Sequence, residues 1–407
     1  MPRKYTLCLT HRCNLRCSYC YIDKRAGRMS IEVADRIVES IFGSPPPGDD
    51  DGVDIGFFGG EPLLEFDLLK EIVGRIERHP NFDRKTVTLS VVSNGTLLSE
   101  AMADYLAEHG VVLCLSCDGP PHVQDRFRKQ RNGRASSARV VRAIEIARRR
   151  LPLFMVNAVY RPETLDELPA TVDFLSGLGA RQIYLNPDAG APWRREDAAK
   201  LAGLYAGIGD WYVRAYLRND LHFVSLIDSK IAVILRGGYG ASERCQMGSR
   251  EIAFTAEGRV YPCERLIGDG KGGRHCLGSI QDGRLPRAAV SFCTDAAARA
   301  ESPCAACGIR EYCMNWCGCS NYLATGSYDR VSPFLCASER AAVAAAARVY
   351  ERLDAACPGV FSDHLAGKPS AMSRMNGRDA ASGDRTSSPN ACGGGQSAAT
   401  AGFFREP

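Results

Sequence analysis

The sequence predicts an α/β protein built from a partial (β/α)6 TIM-like barrel followed by a small cysteine-rich domain. Two observations predict this fold. Up to about residue 217, short β-rich runs alternate with helical patterns in six consecutive units, and such alternation forms a parallel sheet covered by helices. From about residue 236, glycine and cysteine become frequent and strands become short, until an alanine-rich helix predicted over residues 338–354.

The six units follow one another along the chain, each with an apolar run before a helical pattern. They are YTLCL with IEVADRIVESIF, VDIGFF with FDLLKEIVGRIE, VTLSVV with SEAMADYLAEHG, VVLCLSC with SARVVRAIEIARRR, LFMVNAV with LDELPATVDFLSGLG, and QIYLN with AAKLAGLYAGIGDWYVRAYL. Thr164 and Glu167 stand at capping-box spacing, which favours a helix start in the fifth unit. We predict a barrel domain over residues 1–235, a cysteine-rich domain over 236–358 and, from its Gly/Ser/Ala-rich composition, a disordered tail over 359–407.

Composition and charge exclude several classes of protein. A chain of 407 residues, 45% of them hydrophobic, can bury the cores of two domains. No apolar run approaches the roughly 20 residues that cross a bilayer, and the N-terminus lacks a secretory signal, so we expect a cytoplasmic protein without a membrane partner. The net charge of +4 gives no reason to expect a nucleic-acid partner.

Eighteen cysteines are the outlying feature of the composition. Thiols stay reduced in the cytoplasm, so metal binding or catalysis is the expected use of many of them. Cys8, Cys114 and Cys117 fall in apolar strand patterns, and we interpret these three as core residues.

Three cysteines lie within eight residues after the first predicted strand, in the segment CNLRCSYC: Cys13, Cys17 and Cys20. Three thiolates fit one 4Fe-4S cluster, with one iron left open to a small molecule. The alternative is a structural zinc site, which would need a fourth thiolate or imidazole. His11 is near, but it lies on the strand side of the motif.

This CxxxCxxC motif resembles that of the radical S-adenosyl-L-methionine (SAM) enzymes. Three further segments carry the resemblance, each at the end of a predicted strand: FFGGEPL, SVVSNGT and LSCDGPP. Strand ends are where α/β barrels collect their ligands. The resemblance implies that the open iron binds SAM, and that an electron from the cluster cleaves SAM to a 5′-deoxyadenosyl radical that abstracts hydrogen from the substrate.

The resemblance also implies six SAM-binding residues: Tyr19, Gly59, Gly60, Glu61, Ser116 and Arg128. The glycines would let the backbone approach the methionine amino group, and the adjacent glutamate would add a negative charge. The serine would bond the ribose, the tyrosine would lie beside the adenine, and the arginine would hold the SAM carboxylate. The ordinary alternatives are a strand-to-helix turn, a structural serine and an arginine on a solvated helix face.

The cysteine-rich half is similar to the SPASM extension of radical SAM enzymes, which would make it a small iron–sulfur domain. The resemblance rests on the order Cys304-xx-Cys307-xxxxx-Cys313-xxx-Cys317 with Cys336 behind it and Cys245 and Cys263 before it. It implies two auxiliary 4Fe-4S clusters, the first held by Cys245, Cys263 and Cys317 and the second by Cys304, Cys307, Cys313 and Cys336. A zinc site is again the alternative.

The first auxiliary cluster lacks one expected ligand, because no cysteine lies between Cys245 and Cys263. Either Cys276 supplies the fourth thiolate or one iron stays open, and we favour Cys276 slightly. Cys293 and Cys319 are interpreted as spare thiols.

Glu264 follows Cys263 directly. Sulfatase-maturating members of the family carry a carboxylate at that place as a proton acceptor, and a glutamate away from bulk water can be tuned toward neutral pH. The alternative role is a salt bridge to Arg259 or Arg265.

The resemblance as a whole implies an oxidoreductase that abstracts hydrogen from a peptide or protein substrate and leaves a crosslink or an oxidised side chain. Formylglycine formation in sulfatases and dehydrogenation of a small-molecule alcohol are the alternatives. We expect a reductant such as flavodoxin or ferredoxin as a partner. Because only twelve residues precede Cys13, we expect substrate recognition to be direct or delegated to a separate leader-peptide-binding protein, and the tail after residue 362 to be dispensable.

Overall fold

The computed structural model describes residues 2–43, 52–240, 243–267, 273–283, 304–314 and 317–357. The tail predicted from residue 359 and the cysteine at position 293 lie outside these ranges. Among the described helices, none combines the length and apolar character that crossing a membrane requires.

The described chain forms ten strands and ten α-helices. The strands are β1 (Arg3–Thr10), β2 (Val53–Gly59), β3 (Val87–Ser93), β4 (Val111–Ser116), β5 (Phe154–Tyr160), β6 (Gln182–Pro187), β7 (Phe223–Val224), β8 (Glu251–Phe254), β9 (Arg259–Tyr261) and β10 (Gly278–Ser279). The helices are α1 (Ile31–Phe42), α2 (Phe66–Arg78), α3 (Glu100–Glu108), α4 (Pro121–Phe127), α5 (Ser137–Arg150), α6 (Leu168–Gly177), α7 (Arg195–Leu217), α8 (Ser225–Leu235), α9 (Gly318–Thr325) and α10 (Pro333–Ala356).

One sheet organises these elements, in the order β10-β9-β8-β1-β2-β3-β4-β5-β6-β7. The strands β1 to β7 are parallel and follow chain order, with helices in the connections, which confirms the predicted α/β fold of six units. The cysteine-rich half joins the same sheet, because β8 pairs in parallel with β1. Strand β9 then pairs antiparallel with β8, and β10 pairs antiparallel with β9. Helix α8 ends at Leu235, and the predicted division into two domains at that residue stays a prediction.

Alternation along β1 separates an apolar face from a polar one. Tyr5, Leu7 and Leu9 are buried in the main core with residues of α1 and α2. The even-numbered positions point the other way, since successive strand residues face opposite sides. Gly56 of the neighbouring strand β2 faces the same side as Thr6, because a Cβ built on it would lie 4.0 Å from the Thr6 Oγ1. We call this side, which carries the Lys4 and Thr6 side chains, the inner face.

The long C-terminal helix α10 packs back on the barrel. Its first residues meet the barrel where Phe334 stacks on Trp193 with ring centroids 3.7 Å apart, and further along a Cβ on Gly209 of α7 would lie 2.9 Å from the Val349 Cγ2. The predicted alanine-rich helix is therefore confirmed, and it begins five residues earlier, at Pro333.

Two local predictions have different outcomes. The three cysteines expected in the core are buried, which confirms that interpretation. The prediction of a capping box at Thr164 and Glu167 is wrong, because both residues lie in a 3-10 turn before α6. The Thr164 Oγ1 accepts a hydrogen bond from the Arg161 backbone N–H at 3.2 Å, so it serves that turn instead of the helix.

Candidate functional site

The three cysteines of the CNLRCSYC motif lie in the loop after β1, which we call the cysteine loop (residues 11–22). Cys13 is 6% exposed, while Cys17 and Cys20 are half-buried. Burial raises the pKa of the Cys13 thiol to about 11. Burial therefore disfavours the bare Cys13 thiolate, and a bound metal would favour it.

The GGE turn after β2 holds the cysteine loop by its backbone. The Gly60 N–H donates to the Thr10 carbonyl at 2.8 Å, and the Glu61 N–H donates to the Arg12 carbonyl at 2.9 Å. A Cβ on Gly60 would lie only 2.2 Å from the Arg12 oxygen, and Gly59 has a φ of +138°. The two glycines therefore permit close packing of this turn against the cysteine loop.

Glu61 is fully buried and ties the GGE turn to the SNGT segment. Its carboxylate accepts hydrogen bonds from the Leu63 N–H at 3.0 Å, the Ser93 hydroxyl at 2.7 Å and the Asn94 N–H at 2.8 Å. Burial raises the pKa of the carboxyl, although these hydrogen bonds oppose the rise. The structure thus gives the carboxylate a positioning role among protein groups. The predicted contact of Glu61 with SAM stays a prediction.

Tyr19 and Arg128 meet at a third residue, Asp118. The Tyr19 hydroxyl donates to the Asp118 Oδ2 at 2.5 Å, and the Arg128 Nε lies 3.0 Å from the same oxygen. The guanidinium also lies 5.3 Å from the centre of the Tyr19 ring. Arg128 is only 8% exposed, so the alternative of a solvated helix face is wrong. Ser116 ends β4 one residue before Cys117 and is half-buried.

A cleft of about 530 Å³ opens beside the cysteine loop. Its lining comes from the loop and from the cysteine-rich half: Cys17, Cys20, Tyr21, Ile22, Asp23, Lys24 and Ile267. The loop that carries the CxxxCxxC motif and the segment after Cys263 thus face one common space.

Four thiols of the cysteine-rich half lie against one another, and we call them the first cysteine group: Cys245, Cys263, Cys317 and Cys319. The Cys317 and Cys319 sulfurs are 3.3 Å apart. Hydrogen bonds from Cys245 and Cys319, with the nearby Arg265 charge, hold the pKa of Cys317 well below its usual range.

Cys276, the expected fourth member, lies apart from this group. It packs in a neighbouring apolar cluster with Cys8 and Tyr261, and its sulfur lies 3.4 Å from the Gly278 carbonyl oxygen.

The second cysteine group is the predicted set of Cys304, Cys307, Cys313 and Cys336, all half-buried. Arg340 of α10 connects three of its members. The Arg340 Nη2 donates to the Cys307 sulfur at 3.2 Å, and the same guanidinium hydrogen-bonds Cys336 and lies near Cys313.

Glu264 faces the inner side of the sheet and binds two residues of β1. Its Oε2 accepts from the Lys4 Nζ at 3.0 Å and from the Thr6 hydroxyl at 2.9 Å, and its side chain is 22% exposed. Burial alone would raise the pKa of the carboxyl, but the Lys4 ammonium and these hydrogen bonds hold it below its usual value, so the tuning toward neutral pH considered from the sequence is wrong. The ion-pair partner is therefore Lys4, where the sequence had indicated Arg259 or Arg265; Arg265 adds only a Coulombic contribution.

Residues 7–175 match the family model described as the Radical SAM superfamily. This part of the chain is a radical SAM domain. The match spans the cysteine loop, the GGE turn and the SNGT segment, the parts on which the sequence resemblance rests.

Relatives and solved structures extend the likeness beyond the barrel. The serine-type anaerobic sulfatase-maturating enzyme of Klebsiella aerogenes is 25% identical over 337 residues, which cover 78% of this chain and 80% of that protein. The structure of native anSMEcpe with bound AdoMet has a TM-score of 0.69 at 20% identity and covers 87% of this chain and 100% of its own. Streptococcus suis SuiB bound to the precursor peptide SuiA has a TM-score of 0.55 at 17% identity, covering 82% and 76%. The chain thus shares the fold of these proteins beyond its radical SAM domain.

The cofactors of the protein are SAM and 4Fe-4S clusters, and its thiol-only donor sets fit such clusters. Among the described residues, no three His, Cys, Asp or Glu side chains converge closely enough to hold a single metal ion. Ligands of a cluster bind separate irons, so they need not converge on one point. His11, considered for the zinc alternative, is buried and lies 3.2 Å from the Glu257 carboxylate.

Sequence reasoning missed two participants, Asp118 and Lys4. Asp118 stands inside LSCDGPP, so an acidic residue directly after a predicted strand was the usable signal. Lys4 gave no local signal, because its partner Glu264 is 260 residues away.

Proposed function

We propose that this radical SAM enzyme oxidises one residue of a peptide or protein substrate by taking a hydrogen atom from a side chain or Cα. The observation that carries the proposal is the position of the Glu264 carboxylate, on the inner face beside the cysteine loop. Its contacts with Lys4 and Thr6 fix it there, and Tyr21 of the cysteine loop lies near both Glu264 and Arg265.

Bound SAM and its cluster supply a 5′-deoxyadenosyl radical that accepts the hydrogen atom. The substrate carbon is then left with one unpaired electron, and a stable oxidised product requires loss of a further electron and a proton. We assign the proton to the Glu264 carboxylate; a cluster held by the first cysteine group would supply the acceptor for the electron. A carboxylate held ionised near neutral pH is in the correct protonation state to accept a proton.

The relatives support a peptide or protein as the substrate class. The Klebsiella enzyme is named for sulfatase maturation, and the SuiB structure contains a precursor peptide. We propose the same class for this chain, with SAM held near Tyr19, Ser116 and Arg128 and with Gly59, Gly60 and Glu61 positioning the cysteine loop. We also propose flavodoxin or ferredoxin as the reductant and a cytoplasmic location, where thiols remain reduced. The substrate is recognised in the cleft or through a separate leader-peptide-binding protein.

Formylglycine formation is the second candidate, and one observation favours it. Glu264 directly follows Cys263, the position of the proton-accepting carboxylate that the resemblance to sulfatase-maturating enzymes implies. Under this alternative the oxidised atom is the β-carbon of a cysteine or serine in a sulfatase.

Deuterium transfer separates these reactions. The reconstituted enzyme would be given, in separate reactions, a sulfatase-type peptide deuterated at its Cys or Ser β-carbon, a deuterated peptide encoded beside this gene, and a deuterated amino-sugar alcohol. Deuterium in 5′-deoxyadenosine with a peptide aldehyde would identify sulfatase maturation, and deuterium with loss of two hydrogens and no aldehyde would identify another peptide modification. Transfer from the alcohol alone would contradict the proposal.

A further inference from the structure

We propose that Cys319, and not Cys276, supplies the fourth thiolate of the auxiliary cluster held by Cys245, Cys263 and Cys317. The inference rests on the chain being a radical SAM enzyme with auxiliary clusters, and it is independent of the substrate. It replaces both sequence alternatives, the Cys276 ligand and the open iron.

The contacts of Cys319 carry the proposal. Its sulfur lies 3.3 Å from the Cys317 sulfur and is hydrogen-bonded to Cys263, so it touches two expected ligands at once. Cys245 completes the set through its hydrogen bond to Cys317. At 2% exposure, Cys319 is a buried thiol that packs among Cys245, Cys263 and Cys317.

The backbone explains how two ligands arise from the segment CGCS. Cys317 is the N-cap of α9, and Cys319 lies in its first turn. The start of a helix carries a partial positive charge, which favours thiolates. The Arg265 side chain, with its Nη1 3.3 Å from the Ser320 hydroxyl oxygen, adds a full positive charge beside the group.

Two other groups compete for the fourth position. Cys276 belongs to the cluster of Cys8 and Tyr261. The Glu251 Oε1 lies 3.4 Å from the Cys263 sulfur, but the same oxygen also accepts from the Lys4 Nζ at 3.3 Å, and iron–sulfur clusters are held mainly by thiolates. With four protein thiolates the cluster has no open iron, so its role is to accept electrons without binding the substrate.

The test measures iron and spectra in a protein that lacks Cys13, Cys17 and Cys20, so that only the auxiliary clusters remain, about eight irons. In this background Cys319→Ala should lose between about one and four irons, or show the electron paramagnetic resonance signal of a three-iron cluster. Cys276→Ala and Glu251→Gln should keep all the iron and the parent spectrum. Cys114→Ala, which removes a buried thiol elsewhere, is the matched control.

A second measurement keeps the test valid if Cys319→Ala folds poorly. ¹³C-cyanide binds an iron without a protein ligand and couples to its spin, so the background protein and its Cys276→Ala form should show no ¹³C coupling. Coupling in the background protein would mean an open iron and would overturn the proposal. Coupling that appears with Cys276→Ala or Glu251→Gln, or an unchanged spectrum with Cys319→Ala, would overturn it as well.

Discussion

At the scale of single residues, the site depends on charges whose partners lie far away in the sequence. The position of Glu264 beside Cys263 could be read from the sequence, and so could its candidacy as a base. Its actual partners Lys4 and Thr6 could not, because they belong to the first strand and reach Glu264 only after β8 has paired with β1. The same holds for Tyr19 and Arg128, which were noted separately and are joined by Asp118.

We predict that Glu264→Gln uncouples the reaction. The amide cannot accept a proton, so product formation should fall by roughly a hundredfold or more, while SAM cleavage and deuterium transfer from the peptide continue. Single-turnover assays of 5′-deoxyadenosine and of product measure the two steps separately. Glu71→Gln, on the exposed side of α2, should leave both unchanged. Product at the wild-type rate from Glu264→Gln would remove Glu264 from the chemistry.

Asp54 gives a pH-dependent prediction. It is 8% exposed, and burial raises its pKa to about 6 against a hydrogen bond with Thr88 and the Lys4 charge, which lower it. The folded state therefore binds this proton more tightly than the unfolded state, so stability is lost as the pH rises from the unfolded pKa toward about 6 and the loss is complete above it.

Asp54→Asn removes that cost. The apparent unfolding free energy should rise by about 1–3 kcal/mol at pH 8 and clearly less at pH 4.5. Urea unfolding at the two pH values measures the difference. An equal effect at both would show that Asp54 does not titrate as described.

At the scale of elements, the contact between the GGE turn and the cysteine loop decides whether the SAM-binding cluster of Cys13, Cys17 and Cys20 can form. The sequence identified the glycines but predicted that they serve the ligand. The structure adds that Gly59 and Gly60 meet the carbonyls of Thr10 and Arg12, a contact that no local pattern reveals. The short strands β8 to β10 were likewise hard to predict, because strands of two to four residues carry no usable periodicity.

We predict that Gly60→Ala displaces the cysteine loop. Its Cβ would lie 2.2 Å from the Arg12 oxygen, so the enzyme should lose SAM binding and about one third of its iron. Iron analysis and equilibrium binding of SAM measure both effects. Gly203→Ala is the control, since it lies within α7 with nothing near its Cβ position, and it should stabilise the helix by roughly 0.5–1 kcal/mol. Full iron and SAM binding in Gly60→Ala would contradict the proposed function of this packing.

At the scale of the whole molecule, the alternation of strands and helices allowed the six-unit α/β fold and the radical SAM family to be recognised from sequence. The grouping of cysteines was predictable only in part. Spacing indicated the second group, but the membership of the first depends on where α9 starts, and that follows from packing against Cys263 and Arg265. The sequence therefore left Cys276 only slightly favoured over an open iron, and contact points to Cys319.

The measurement that tests the central claim most directly is the formation of 5′-deoxyadenosine by the anaerobically reconstituted enzyme. The wild-type protein should bind about twelve irons, from three clusters of four, and should release 5′-deoxyadenosine from SAM under a strong reductant. The variant with Cys13, Cys17 and Cys20 all replaced by Ala should keep about two thirds of the iron and form none. If that variant still cleaved SAM, radical formation would not occur at the cysteine loop and the account would be contradicted.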